Sequence, residues 1–153
     1  MDNFNNITQL SDNFFEVGMM TDSLGKKPHR YGSDHILYSN EVHTLKMIAK
    51  REGINQKELS RLMMRTKGAT SVMIDKLVSK GLVEKVEDKN DKRVCSLYLT
   101  DMGRKVNLFH CEYDLKIASE WVKYTDVTNE DIDITNRTLE KIIKFYRENY
   151  FSE

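Results

Sequence analysis

The charged residues of this 153-residue chain are unevenly distributed, and their distribution suggests contact with a polyanion. Residues 55–80 contain six basic and two acidic groups, whereas residues 111–153 contain six basic and ten acidic groups. A cluster of one sign attracts phosphates, although a solvated helix face is the alternative explanation. The net charge of zero therefore conceals a polarised molecule. The basic groups of the first segment are Lys57, Arg61, Arg65, Lys67, Lys76 and Lys80.

Histidines and carboxylates form a second group of residues with possible chemistry, the binding of a metal ion. His110 and Asp114 are four residues apart, so a helix would place both on one face. Glu41 and His43 are only two residues apart and would diverge on a helix. We therefore expect no metal or cofactor, with zinc bound by some of Glu41, His43, His110 and Asp114 as the alternative.

Composition and motifs exclude several classes of protein. The chain has no glycine-rich phosphate loop, no GxSxG motif and no ligand cluster at catalytic spacing, so we expect no enzymatic activity. It has neither a secretory signal nor an apolar run of the roughly 20 residues that cross a bilayer, so we expect a cytoplasmic protein without membrane contact. Cys95 and Cys111 lack CxxC spacing and are expected to be ordinary reduced thiols.

The first half of the chain shows the spacing of helices. Apolar residues three, four or seven apart predict a helix over about residues 5–24. Three shorter helices follow, and each has its own start signal. Ser39 is the expected N-cap of the first, Asn55 and Glu58 form a capping box for the second, and Thr66 caps the third.

In the second half, the spacing of apolar residues changes from that of a helix to that of a strand. Alternating apolar residues predict two strands, at residues 82–86 and 93–99, joined by a charged tip. Thr100 and Thr128 then begin two longer helices.

These elements predict a mainly α fold with a small β-hairpin wing, in which a winged helix-turn-helix is joined to a helical dimerisation lobe. The DNA-binding lobe is expected at residues 39–100, with the helix-turn-helix at about 55–80 and the wing at about 82–99. Residues 1–38 and 101–153 form the dimerisation lobe, because they carry more apolar surface than the winged module can cover. The expected dimer contacts are Ile7, Leu10, Phe14, Trp121, Leu139, Ile142 and Tyr146.

The second helix of such a pair fits the major groove of DNA, which is roughly 12 Å wide, and the wing reaches the minor groove. Inward placement of Thr70, Met73, Ile74 and Leu77 would turn the opposite helix face towards DNA. Lysines there would neutralise phosphates or reach guanine edges, and Val72 could pack on a thymine methyl group. The candidate DNA contacts are Arg65, Thr66, Lys67, Gly68, Ser71, Val72, Lys76, Lys89, Asn90 and Arg93.

Five short motifs occur between residues 66 and 103. They are Thr66-Lys67-Gly68-Ala69, Met73-Ile74-Asp75-Lys76-Leu77, Lys80-Gly81-Leu82-Val83, Asn90-Asp91-Lys92-Arg93 and Leu97-Tyr98-Leu99-Thr100-Asp101-Met102-Gly103. Together they resemble the MarR-type transcriptional regulators, whose wing carries Asp-x-Arg followed by Leu-Thr-x-x-Gly. The resemblance implies that Asp91 pairs with Arg93 and stabilises the wing.

One position departs from the family pattern. Relatives usually place a glycine and an apolar residue before the recognition helix, where this chain has Met64 and Arg65. A non-glycine residue is strained there if the turn needs positive φ. Arg65 would then be an additional phosphate contact.

The sequence therefore predicts a sequence-specific regulator that binds double-stranded DNA. The resemblance implies a homodimeric repressor that reads a palindromic operator and is released by an effector, whether a small molecule, an acyl ligand or a metal. The alternative is a dimeric effector- or metal-binding interaction module without specific DNA binding. The presence of Lys67, Lys76 and Arg93 argues against that alternative.

Overall fold

The structure, a computed structural model, describes residues 2–87 and 95–151. Its helices are α1 (Asp2–Gly25), α2 (Ser39–Lys50), α3 (Gln56–Leu62), α4 (Lys67–Ser79), α5 (Asp101–Thr125) and α6 (Asn129–Tyr150). Its strands are β1 (Ile54–Asn55), β2 (Val83–Glu87) and β3 (Cys95–Leu99). The predicted fold class, mainly α with a small hairpin, is confirmed. Within the described ranges, no helix is both long and apolar enough to cross a membrane.

The three strands form one antiparallel sheet with β3 in the centre. Val83 of β2 pairs with Leu99, and Ile54 of β1 pairs with Leu97. β1 was not predicted, because two residues are too few to show an alternating pattern. The wing residues Lys89, Asn90, Asp91 and Arg93, for which DNA contact or wing stabilisation was predicted, lie outside the described residues.

Side-chain caps begin most of the helices at the predicted residues. Asn55 Oδ1 accepts a hydrogen bond from the Glu58 backbone N–H at 2.9 Å, as expected for the start of α3. Thr66 Oγ1 accepts from the Ala69 N–H at 3.2 Å and begins α4. Thr100 and Thr128 cap α5 and α6 in the same way. These polar side chains fix where each helix begins.

The predicted cap of α2 is wrong by one residue. Ser39 is already helical, and Tyr38 is the N-cap. The Tyr38 backbone N–H donates to Glu41 Oε2 at 3.0 Å, so the carboxylate satisfies this helix end instead of a serine hydroxyl.

The apolar core lies between α2, α3, α4, the sheet and the first turns of α5. Thr70, Ile74 and Leu77 of α4 are buried in it, as predicted. At the end of α3, Leu62 is 39% exposed, whereas Met63 packs against the core. The core residues are Tyr31, Leu37, Val42, Leu45, Ile48, Ile54, Leu59, Ile74, Leu77, Leu82, Val83, Leu97, Leu99 and Val106.

The long helices expose apolar side chains. No residue of α6 is buried, and no α1 residue whose side chain is described belongs to the core. The predicted dimer contacts follow this pattern, since all are exposed except Ile142, which is half-buried. Their role in a dimer, and the division of the chain into two lobes, remain predictions.

The turn between α3 and α4 contains a strained residue. Met64 has φ +52°, in the left-handed region where a side chain is disfavoured. Its own side chain is exposed, so little packing offsets the strain. The departure from the usual glycine therefore has a local cost in stability.

We predict that Met64→Gly raises the free energy of unfolding by about 0.5–1 kcal/mol. Relief of roughly 1–2 kcal/mol of left-handed strain is partly offset by the greater freedom of glycine in the unfolded chain. Denaturant unfolding at fixed protein concentration measures the change. Leu62→Gly, in the last turn of α3, is the control and should lower stability by about 1 kcal/mol. If both substitutions lowered stability equally, Met64 would not be strained.

Candidate nucleic-acid interface

One face of α4 is exposed, on the side opposite its buried residues. Val72 lies roughly 160–200° around the helix from Thr70 and Ile74, because each residue advances about 100°. Its side chain is 70% exposed. The predicted contacts Thr66, Lys67, Gly68, Val72 and Lys76 are exposed on or beside α4, whereas Arg65 and Ser71 are half-buried. The structure therefore brings seven of the ten predicted DNA contacts to one helix and its preceding turn.

The N-terminus of α4 is held by the helix before it. Gln56 Nε2 donates to the Lys67 carbonyl oxygen at 3.0 Å, which ties the start of α3 to the start of α4. The first amides of α4 lie beside the exposed Lys67 side chain. A helix N-terminus and an ammonium group both favour a phosphate. Gln56 was missed from the sequence because its partner is eleven residues away.

An ion pair joins α4 to the wing. Lys85 Nζ of β2 donates to Asp75 Oδ1 at 2.6 Å. Both side chains are partly exposed, so the pair contributes little to stability but neutralises an acidic group on the exposed side of α4. Sequence reasoning missed Lys85, although its alternation with the buried Val83 places both on the sheet face towards α4.

A buried carboxylate holds the second half of α4. Glu41 of α2 is fully buried, and its Oε1 accepts from Lys80 Nζ at 2.6 Å. Lys76 Nζ lies 3.4 Å from Glu41 Oε2 and 5.5 Å from the centre of the Tyr38 ring. Lys80 also donates to the Ile36 carbonyl oxygen at 2.9 Å. The predicted DNA contact Lys76 is thus an ion-pair partner within the protein.

The ionisation of Glu41 depends on these partners. Burial raises the pKa of Glu41, but the hydrogen bonds from Lys80 and the Tyr38 N–H, with the charges of Lys80 and Lys76, outweigh it. The pKa of Glu41 is therefore lowered from its ordinary value of 4.5. The carboxylate is charged at neutral pH and anchors two lysines near the C-terminus of α4.

His43, His110 and Asp114 form a separate cluster between α2 and α5. One ligand atom from each lies within 4.8 Å of the other two. His110 is only 2% exposed, and neither of its ring nitrogens has a hydrogen-bond partner within the described residues, although Nδ1 lies 3.4 Å from Asp114 Oδ1. Lys46 Nζ donates to Asp114 Oδ2 at 2.8 Å. Of the four alternative zinc ligands, only Glu41 is separate, because it points towards α4.

Both histidines of this cluster favour the neutral form. Burial lowers the pKa of His43 and of His110, and Lys46 lowers both further, while Asp114 acts in the opposite direction. Neutral imidazole is the form that binds a metal. A cleft beside the cluster is lined by Leu24, Tyr31, Tyr113 and Ile117, among others, and offers apolar surface to an effector.

We predict that Glu41→Gln lowers the free energy of unfolding by roughly 2–4 kcal/mol at pH 7, because it leaves Lys80 without its buried counter-charge. Folding lowers the pKa of Glu41, so its charge stabilises the folded chain above the acidic range and this contribution is lost as pH falls. The difference between parent and variant should therefore shrink below about pH 4.5. Denaturant unfolding at several pH values measures it.

Glu120→Gln is the matched control, since Glu120 is exposed on α5. It should change stability little at any pH. The proposed role of the Glu41 charge would be refuted if Glu41→Gln were as stable as the parent at pH 7. It would also be refuted if the loss of stability grew as the solution is acidified.

Comparison with known proteins agrees with this geometry. Residues 37–95, which run from the start of α2 into the wing, match the model of the MarR family. An uncharacterised HTH-type transcriptional regulator of Bacillus subtilis, YhjH, is 26% identical over 129 residues, which are 83% of this chain and 74% of the relative. The HTH-type transcriptional regulator BilQ of Clostridium symbiosum is 34% identical over 77 residues, 47% of this chain and 53% of BilQ.

A solved structure shares the whole architecture. A variant of MarR from E. coli in complex with operator DNA superposes with a TM-score of 0.71 and 26% identity, covering 91% of this chain and 96% of that one. The match includes the long helices as well as the helix-turn-helix. Residues 37–95 therefore match the MarR family, and the chain as a whole is similar in fold to a MarR protein bound to operator DNA.

Proposed function

We propose that this protein is a homodimeric transcriptional repressor that binds a palindromic operator in double-stranded DNA and is released by an effector. The observation that carries the proposal is the face of α4 that lies opposite its buried residues and exposes Val72, together with the exposed Lys67 at the first residue of the helix. The core fixes that helix on one side, and the other side is available to a groove. A cytoplasmic location suits a protein that must reach the chromosome.

The exposed apolar faces of α1, α5 and α6 support the homodimer. Two chains related by a two-fold axis would present two α4 helices to half-sites about 34 Å apart, one turn of DNA. Such a dimer binds an inverted repeat because the symmetry of the protein matches that of the site. An interaction module without DNA binding would not need the exposed and basic start of α4.

Phosphate contacts would come from both sides of α4. Lys67 and Arg65 flank its N-terminus, where the helix dipole also favours an anion. Lys89, Asn90 and Arg93 of the wing are proposed contacts from the sequence, with Asp91 as the partner of Arg93.

We predict that Lys67→Ala weakens binding to DNA recovered by selection from random duplexes and reduces the slope of log affinity against log salt by about one. Each lysine that neutralises a phosphate releases counterions, so its removal lowers salt dependence. Fluorescence anisotropy at several salt concentrations provides the slopes.

Lys144→Ala removes the same charge from α6, where Lys144 is exposed and pairs with Glu148. It should leave the slope unchanged. Recovery of no DNA by the parent protein would refute the proposed function, and equal slopes for all three proteins would remove Lys67 from the interface.

A second candidate function, regulation by zinc, is favoured by the cluster of His43, His110 and Asp114. Two imidazoles and a carboxylate are donors that zinc prefers, and the unpartnered nitrogens of the buried His110 are suited to a ligand. The ammonium of Lys46 beside Asp114 opposes cation binding. Zinc there would tie α2 to α5, and α2 carries the Glu41 that holds α4.

We predict one zinc ion bound per chain at micromolar concentration, lost in both His43→Ala and His110→Ala. Competition with a chromophoric chelator measures binding without reference to DNA. His35→Ala, a half-buried histidine in the loop before α2, should retain the ion. No zinc bound by the parent, or retention by both cluster variants, would exclude the site.

A further inference from the structure

Two of the three charged side chains of α4, Asp75 and Lys76, are already engaged by other elements. Asp75 pairs with Lys85 of the wing at 2.6 Å, so a cytosine amino group would have to displace an ammonium to reach it. Lys76 lies 3.4 Å from the buried Glu41 carboxylate and faces the Tyr38 ring. Neither side chain is placed to read a base edge without breaking an internal contact.

The remaining exposed surface of α4 in its first half is small and apolar. Beyond Lys67 at the first position, it consists of Gly68, Ala69 and Val72, with Ser71 half-buried beside them. A Cβ added to Gly68 would meet no protein atom within 4 Å, so the backbone there is open to close approach. Arginine, asparagine and glutamine, which read guanine and adenine through paired hydrogen bonds, are absent from α4, all of which the structure describes. Lysine can also read guanine, but Lys67 is the first residue of α4 and lies roughly 140° around the helix from Val72, at the end where a phosphate is favoured.

An exposed valine at the centre of this face has one matching feature in the major groove. Among the four bases, only thymine presents a methyl group there, and apolar side chains contact it. Val72 has the most exposed side chain of the large apolar residues in α4, at 70% against 37% for Val78. Burying its two methyl groups against another methyl removes apolar surface from water on both sides.

We propose that Val72 contacts the C5-methyl group of a thymine in each half-site, and that this apolar contact discriminates between bases at the centre of the exposed face of α4. The proposal rests on the proposed function and names a base that α4 reads. Phosphate contacts by Lys67 then fix the position of α4 along the DNA, and Val72 requires a thymine at one position of the half-site.

The test uses the full-length protein and duplexes selected from a randomised library. Each thymine of the selected half-site is replaced by uracil, symmetrically in both half-sites, since uracil lacks only the methyl group. For the parent protein, at least one replacement should reduce affinity about fourfold for each methyl lost, the equivalent of about 0.8 kcal/mol. For Val72→Ala, the same replacement should change affinity less than twofold.

Val78→Ala is the matched control, because Val78 is an exposed valine of α4 that lies off this face. It should keep the full response to uracil. If no thymine responds, or if Val72→Ala keeps the full response, the proposal is wrong while DNA binding stands. If no duplex is selected, the proposed function fails together with it.

Discussion

The position of the recognition helix depends on one buried carboxylate. Glu41 lies in the first turn of α2, closes that turn through the Tyr38 N–H, and accepts from Lys80 just beyond the end of α4. An uncompensated charge at that depth would be costly, so its lysine partners are required once Glu41 is buried. The pair therefore fixes the C-terminal end of α4 against α2, while Thr70, Ile74 and Leu77 fix its inner face.

The basic segment at residues 55–80 is not a simple cationic patch. Lys76 and Lys80, two of its six basic groups, neutralise Glu41, and the adjacent acid Asp75 is neutralised by Lys85. These three lysines and two carboxylates leave a net charge of only plus one, and the exposed Lys67 lies at the end of the helix where phosphates are favoured. This arrangement assigns phosphate attraction and base discrimination to different residues, which limits nonspecific adhesion to DNA.

Local signals in the sequence predicted most elements but few of the long-range contacts. Caps such as Asn55 and Thr66 act within three residues, so their spacing alone located α3 and α4. The Glu41–Lys80 pair spans 39 residues and depends on how two helices pack, which periodicity does not encode. The proximity of His43 to His110 has the same origin, because α2 and α5 meet only in the folded chain.

In the proposed complex, two copies of α4 enter successive major grooves on one side of the DNA. A hydroxyl-radical footprint of the parent protein on its selected duplex tests this arrangement. We expect two equivalent protected regions related by two-fold symmetry, with centres about one helical turn, roughly 10 base pairs, apart. A single asymmetric protected region, or uniform protection along the duplex, would contradict it.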